Sequence, residues 1–189
     1  MKKNLFSKLK FFLMSMVVLS LAGCSNMKID DYQGSLPAFD LFAYFEGKTK
    51  AYGQFQDRSS NVIRRFEVDI IGKLNHKKNI LVLNEAFTYD DGEKQTRIWT
   101  ITKNEDGHYT GTASDVIGEA RGITSGYALN WTYTLDLPYK DSTIHVQFND
   151  WMFLHNKDVM LNRAEVSKWG IKVGEVTLFF SKALAAMNQ

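Results

Sequence analysis

The sequence predicts an all-β protein, an antiparallel up-and-down meander of 8–10 strands closing into a barrel, and three observations carry that reading. Apolar residues alternate at period two from about Leu41 to Phe180, the spacing of half-buried strands. The alternating runs are separated by polar breaks of hairpin length: Asp57–Asn61, Asn75–Asn79, Asp90–Glu93, Asn104–Gly107, Gly122–Gly126, Pro138–Asp141, His155–Asp158 and Lys168–Gly170. Apart from Ser181–Met187, which reads as a helical turn, nothing remains for helical crossovers. Strands that are neighbours in sequence therefore pair in space, and so long a meander closes because open edges invite aggregation.

Residues 1–23 precede this domain and read as a signal peptide. A basic start (Lys2, Lys3, Lys8, Lys10) leads into an apolar run from Phe11 to Leu21, about half the length needed to cross a bilayer. The run ends in Leu21-Ala22-Gly23-Cys24, which resembles the lipobox of bacterial lipoproteins, where the thiol receives a diacylglycerol and becomes the mature N-terminus. Cys24 is the only cysteine in the chain, so it has no disulfide partner within it. The same resemblance implies that Ser25 directs sorting to the outer membrane, at its periplasmic face. Three acyl chains, palmitate among them, would anchor the protein firmly at roughly 0.8 kcal/mol per buried methylene. Residues 24–40 carry Gly34 and Pro37 and no sustained period, and read as a lipidated N-terminus and tether. Residues 41–189 read as a single barrel domain.

Charge narrows the partners. Four of the 23 basic residues lie in the leader, which leaves 19 against 21 acidic residues in the mature part. That balance lacks the electrostatic footprint of a nucleic-acid-binding protein. At 44% hydrophobic and 13% aromatic, the chain is too apolar for disorder.

Loop lengths set an expected register in the C-terminal half. A four-residue loop at Pro138–Asp141 places Leu135 opposite Ile144, Tyr133 opposite Val146, Trp131 opposite Phe148 and Leu129 opposite Asp150. An even loop within His155–Asp158 places Met152 opposite Leu161, Asp150 opposite Arg163 and Phe148 opposite Glu165. A three-residue loop at Lys168–Gly170 then sets Arg163 opposite Glu175. Opposite residues share a face, so the expected inward lining is Leu129, Trp131, Tyr133, Phe148, Met152 and Leu161. A charged island of Asp150, Arg163, Glu165 and Glu175 interrupts it. The island reads either as a buried ion network that fixes register or as the polar end of a ligand cavity. With three carboxylates around one guanidinium, it favours neutral or cationic head groups over anions.

Other motifs exclude more than they suggest. Glu46-Gly47-Lys48-Thr49 lacks the upstream glycine of a phosphate-binding loop, because Phe42 stands in its place. His76, His108, His145 and His155 lie on different strands or loops without metal-ligand spacing. No nucleophile and base pattern is readable, and nothing calls for a metal or a cofactor.

Cys24, Phe45-Glu46-Gly47, Asp115-Val116-Ile117-Gly118, Asn130-Trp131-x-Tyr133, Asp150-Trp151-Met152 and Asn162-Arg163-Ala164-Glu165 together carry a family resemblance. Over nearly the whole mature chain the sequence resembles a family of bacterial lipoproteins, domain of unknown function 3833, which brings no activity to carry over. The meander is also similar to the calycin barrels of lipocalins and fatty-acid-binding proteins, although Thr49 stands where the lipocalin Gly-x-Trp signature has its tryptophan. That likeness implies an outer-membrane-anchored barrel that binds or transfers a lipid or other apolar small molecule. The competing expectation is an envelope interaction lipoprotein whose barrel is solid and whose outer surface docks a partner. An enzyme ranks third.

Overall fold

The last strand hydrogen-bonds to the first, so the sheet has no edge. In the computed structural model, which describes residues 27–139 and 142–187, ten strands follow one another around the wall. They are β1 (Gly47–Asp57), β2 (Val62–Asn75), β3 (Ile80–Tyr89), β4 (Lys94–Lys103), β5 (Tyr109–Thr112), β6 (Ala120–Ser125), β7 (Ala128–Tyr139), β8 (Ser142–Leu154), β9 (Val159–Lys168) and β10 (Ile171–Ser181). Every pairing is antiparallel between sequence neighbours, and β1 with β10 completes the closed barrel. The expected all-β meander is thus the fold of the chain. Two short helices accompany it, α1 (Leu41–Phe45) and α2 (Lys182–Met187).

α1 plugs one end of the barrel. Asp40 caps it, its Oδ1 accepting from the amides of Phe42 at 2.9 Å and Ala43 at 3.1 Å. Leu41, Phe42, Tyr44 and Phe45 are all buried, too apolar a set for one short turn to leave in water. Phe42 meets Tyr109 and Phe45 meets Phe180 edge to face, at 5.5 and 5.8 Å between centroids. Lys182 Nζ fastens the plug from outside by donating to the carbonyls of Tyr44 and Glu46.

The segment expected to be a lipidated N-terminus and tether touches the outer wall between Ile29 and Phe39, with most of its residues still exposed. Ile29–Tyr32 forms a 3-10 turn, and the Tyr32 ring sits against Tyr127, Trp151 and Phe153. Ser35 Oγ donates to the Tyr32 carbonyl and accepts from the Tyr127 amide, while the Phe39 amide donates to the Gly126 carbonyl. Trp151 and Phe153 on the outer wall of β8, with Tyr127 in the turn before β7, form an aromatic patch, and this segment covers it. Cys24 and the leader lie outside the described residues.

Register decides which side chains enter the barrel. Between β7 and β8, Trp131 stands opposite Asp150, Tyr133 opposite Phe148 and Leu129 opposite Met152. The strands pair through Pro138 and Tyr139, two residues further than expected, which leaves every face unchanged. Between β8 and β9, Asp150 stands opposite Ala164 and Met152 opposite Asn162, one residue from the expected register. Five residues separate the paired Leu154 and Met160, because Asn156 Oδ1 accepts from the amides of both Asp158 and Val159 and takes up the extra residue. An odd shift turns each β9 side chain to the other face. Trp169 and Gly170, at φ 53° and 76°, then form a two-residue turn into β10, and a bulge at Val173 sets Thr177 opposite Arg163.

The expected break at Gly122–Gly126 narrows to the two-residue turn Gly126-Tyr127 between β6 and β7, and a connection that was not expected precedes β6. Residues 113–119 form the longest connection between strands, and Gly122 lies within β6. Gly111 and Gly122 lack side chains because the Trp131 ring lies where a Cβ at either would sit.

Candidate functional site

Above the α1 plug the barrel encloses a cavity of about 560 Å³, within the range of roughly 300–1,000 Å³ typical of ligand sites. Its lower wall includes Ile70, Leu83, Trp99, Trp131 and Phe180, and its upper wall Phe55, Phe66, Phe87, Leu135 and Phe148. The rings are packed against one another: Trp99 meets Trp131 and Tyr133 edge to face, and Tyr133 stacks on Phe148 at 5.0 Å.

A charged island sits in this apolar wall. Glu85 and Arg97 face each other across the β3–β4 ladder. Arg97 is committed to Asp115 of the 113–119 connection, with Nε 2.9 Å and Nη2 2.8 Å from Oδ2. Its Nη1 stands 3.9 Å from Glu85 Oε2. Burial opposes the guanidinium charge, but the Asp115 bonds and the neighbouring carboxylates prevail and hold Arg97 protonated. Burial pushes the Glu85 carboxyl up to about 7; attraction to Arg97 and a hydrogen bond from Trp99 work against that rise, and repulsion from Asp115 adds to it.

Asp150 enters from β8 and is 4% exposed. Burial pushes its carboxyl up to about 7 as well, against a hydrogen bond from Tyr133 and the attraction of Arg97. The Tyr133 hydroxyl is pushed well above its ordinary value, first by burial and then by the charge of Asp150. Asn162 of β9, 3% exposed, lines the same cavity. Two buried atoms here lack a hydrogen-bond partner: Oδ1 of Asp150 and Oδ1 of Asn162. Among the described residues no group of three or more His, Cys, Asp or Glu side chains is arranged to hold a metal.

The expected lining and island are therefore sorted differently. Trp131, Tyr133, Phe148 and Met152 line the cavity, and Leu129 is fully buried in the core beside it. Leu161, at 39% exposed, lies on the outer wall, in a row with Tyr52 of β1 and Phe179 of β10. Of the four residues expected to form the island, only Asp150 points inward. Arg163 and Glu165 face solvent because the odd β8–β9 loop reverses β9. Arg163 still pairs with Glu175, at 2.7 Å, but outside the barrel, where its side chain is 63% exposed. Lys172 Nζ joins them 2.9 Å from the same carboxylate oxygen. Arg163 foremost, with Lys172, holds the Glu175 carboxyl below its usual range.

The residues missed, Glu85, Arg97, Asp115 and Asn162, carried a partial signal. Leu81, Leu83, Glu85, Phe87 and Tyr89 share one face of β3, and Gln95, Arg97, Trp99 and Ile101 share one face of β4. Their apolar members point the charged ones inward. Val82 and Ile98 on the opposite faces obscured that choice.

The family model that matches the chain covers residues 18–182, and its description is protein of unknown function (DUF3833). The chain belongs to this family. No curated protein matches it. The DUF3833 match spans all ten strands and the 113–119 connection, so every residue of the island lies within the family's own unit.

At the end opposite α1 the DUF3833 barrel has its mouth. Arg64 lies 3.6 Å over the Tyr89 ring there and pairs with Asp91 and Glu93. Ile63 and Val173 line the cavity and are also exposed, and Trp169 and Ile171 extend the apolar lip into solvent.

Proposed function

We propose that the protein is a lipid-anchored carrier that binds a lipid or another apolar small molecule inside its barrel and delivers it in the periplasm. The observation that carries the reading is the cavity itself: about 560 Å³ of mostly aromatic and aliphatic wall, plugged below by α1, with unpartnered acceptors in its side. A barrel serving only as a scaffold gains nothing from two unpaired buried oxygens, which cost stability unless something meets them. A calycin-like carrier has this combination of an apolar chamber and a few fixed polar groups.

Anchoring would occur through an acylated Cys24 at the periplasmic face of the outer membrane. Four residues separate Cys24 from the 3-10 turn at Ile29, a reach of about 17 Å over the five steps. That turn lies against Tyr127 and Phe153, near the plugged end. An acyl anchor would thus hold the barrel by its closed end and leave the mouth free to exchange ligand.

Native mass spectrometry of the purified full chain tests the binding reading. A non-covalently bound lipid or hydrophobe, released on denaturation and enriched over a control barrel, is the expected result. An empty protein that also takes up no apolar dye would overturn it and leave the solid-barrel interaction protein. Cys24→Ala tests the anchor separately, since the variant should leave the membrane fraction.

A further inference from the structure

The atoms around Asp150 narrow the ligand's polar end. Resting on the reading of the barrel as a binding cavity, we propose that it takes an apolar molecule whose head group donates hydrogen bonds and carries no negative charge, a hydroxyl or an amine, seated between Asp150 and Asn162.

The first support is the pair of unpartnered acceptors. Oδ1 of Asp150 and Oδ1 of Asn162 are both buried without a partner, and both residues line the cavity. Asp150 stands opposite Ala164, and Asn162 is the next residue on that same face of β9, so one small head group spans the two. Native proteins rarely leave such atoms unmet. An ammonium, with three N–H donors, meets both and a hydroxyl, with its one O–H, meets one, whereas an ester or ether oxygen meets neither.

The second support is that, among the described residues, the cavity wall holds no free cation. The two arginines that line it are both committed to carboxylates: Arg97 to Asp115, and Arg64 at the mouth to Asp91 and Glu93. Once Asp115 is matched to Arg97, Glu85 and Asp150 remain as the unmatched acids of the island. A ligand carboxylate or phosphate would enter a site whose spare charge is already negative, while an ammonium would be drawn to it. Tyr133, Arg97 and Glu85 are the charged or titratable groups that face Asp150, and Asp115 stands behind Arg97. None of them supplies an unpaired positive charge.

The test is displacement of the neutral dye N-phenyl-1-naphthylamine from the full chain by dodecane, dodecanol, dodecylamine and dodecanoate, the first two below their solubility limits and the last two below their micellar concentrations. Dodecanol and dodecylamine should compete about tenfold better than dodecanoate or dodecane, the worth of one charge-assisted hydrogen bond. Their advantage should grow between about pH 6 and pH 8, as Asp150 loses its proton and becomes a full acceptor. Asp150→Asn should flatten that pH dependence and remove the preference for the amine over the alcohol. Asn162→Leu should weaken dodecanol while leaving dodecane unchanged.

Dodecanoate competing as well as dodecanol at pH 8, or an unchanged ranking in Asp150→Asn, would overturn the proposal. Dodecane equal to dodecanol would overturn it too, while leaving the cavity a binding site. If neither the dye nor any competitor binds, the binding reading falls and takes this one with it.

Discussion

Glu85 and Arg97 are direct cross-strand partners, yet the guanidinium bonds to Asp115 at 2.8 Å and only faces Glu85 at 3.9 Å. The longest connection of the meander thus supplies the carboxylate that satisfies a cation in the barrel wall. Glu85 keeps a Trp99 hydrogen bond and a distant attraction, and burial outweighs both. Two carboxyls near the middle of an apolar chamber, Glu85 and Asp150, therefore titrate close to neutrality.

That raises a stability prediction whose sign is fixed. The folded-state pKa of Asp150 is about 7, against about 3.9 in an unfolded chain. Between roughly pH 4 and pH 7 the native state keeps a proton that the unfolded chain has released, so stability falls as pH rises through that window. Asparagine copies the neutral acid. Asp150→Asn should stabilise the ligand-free protein by about 2–4 kcal/mol at pH 8, and the gain should shrink toward zero near pH 4. Urea midpoints across this range check it. Glu175, whose lowered pKa acts in the opposite direction, is common to both proteins and cancels.

Arg97 should be the least replaceable charge in the wall. Arg97→Met leaves Asp115 without its hydrogen bonds from the guanidinium and Glu85 without its countercharge, at a cost of about 3–5 kcal/mol. Acid should relieve part of that loss by protonating the stranded carboxyls. Arg97→Lys should fall between parent and Met, because an ammonium lacks the planar fork that meets Asp115. Equal denaturation midpoints for all three proteins would show that the guanidinium is not buried.

Arg163 should behave oppositely. Its pair with Glu175 stands on the outer wall and Lys172 already shares the carboxylate, so Arg163→Leu should cost no more than about 1 kcal/mol, and less at high salt. A loss of several kcal/mol would mean that β9 is turned inward after all.

These two arginines show what the sequence could and could not settle. Strand number, closure and the inward face of β7 and β8 follow from alternation and short loops, and they survive a two-residue slip because faces repeat every two residues. The face of β9 depends on whether one loop is odd or even, which rests on the Asn156 side chain binding two amides rather than one. Composition could not arbitrate. Leu161 belongs to an apolar row with Tyr52 and Phe179 on the outside, so an apolar residue there is no sign of the interior. Asp115 reaches Arg97 from a connection whose path no periodicity encodes.

Trp169 occupies the first position of a two-residue hairpin turn, at φ 53° with Gly170 at 76°. Turns of that geometry favour Asn-Gly, because asparagine tolerates the left-handed region and a bulky ring does not. Burial gives nothing back: Trp169 is 87% exposed, and Lys168 lies over its ring at 4.4 Å. A cation over an exposed ring contributes about 0.5–1 kcal/mol, comparable to the backbone strain it offsets. Trp169→Asn should therefore leave the barrel as stable as the parent or up to about 1 kcal/mol more so, measured as an equal or higher urea midpoint. A clear destabilisation would show the ring packed onto the lip. Without one, the tryptophan at the mouth is held by something other than the stability of the fold, and its place beside Ile171 and Val173 makes ligand exchange the property to measure next in the same variant.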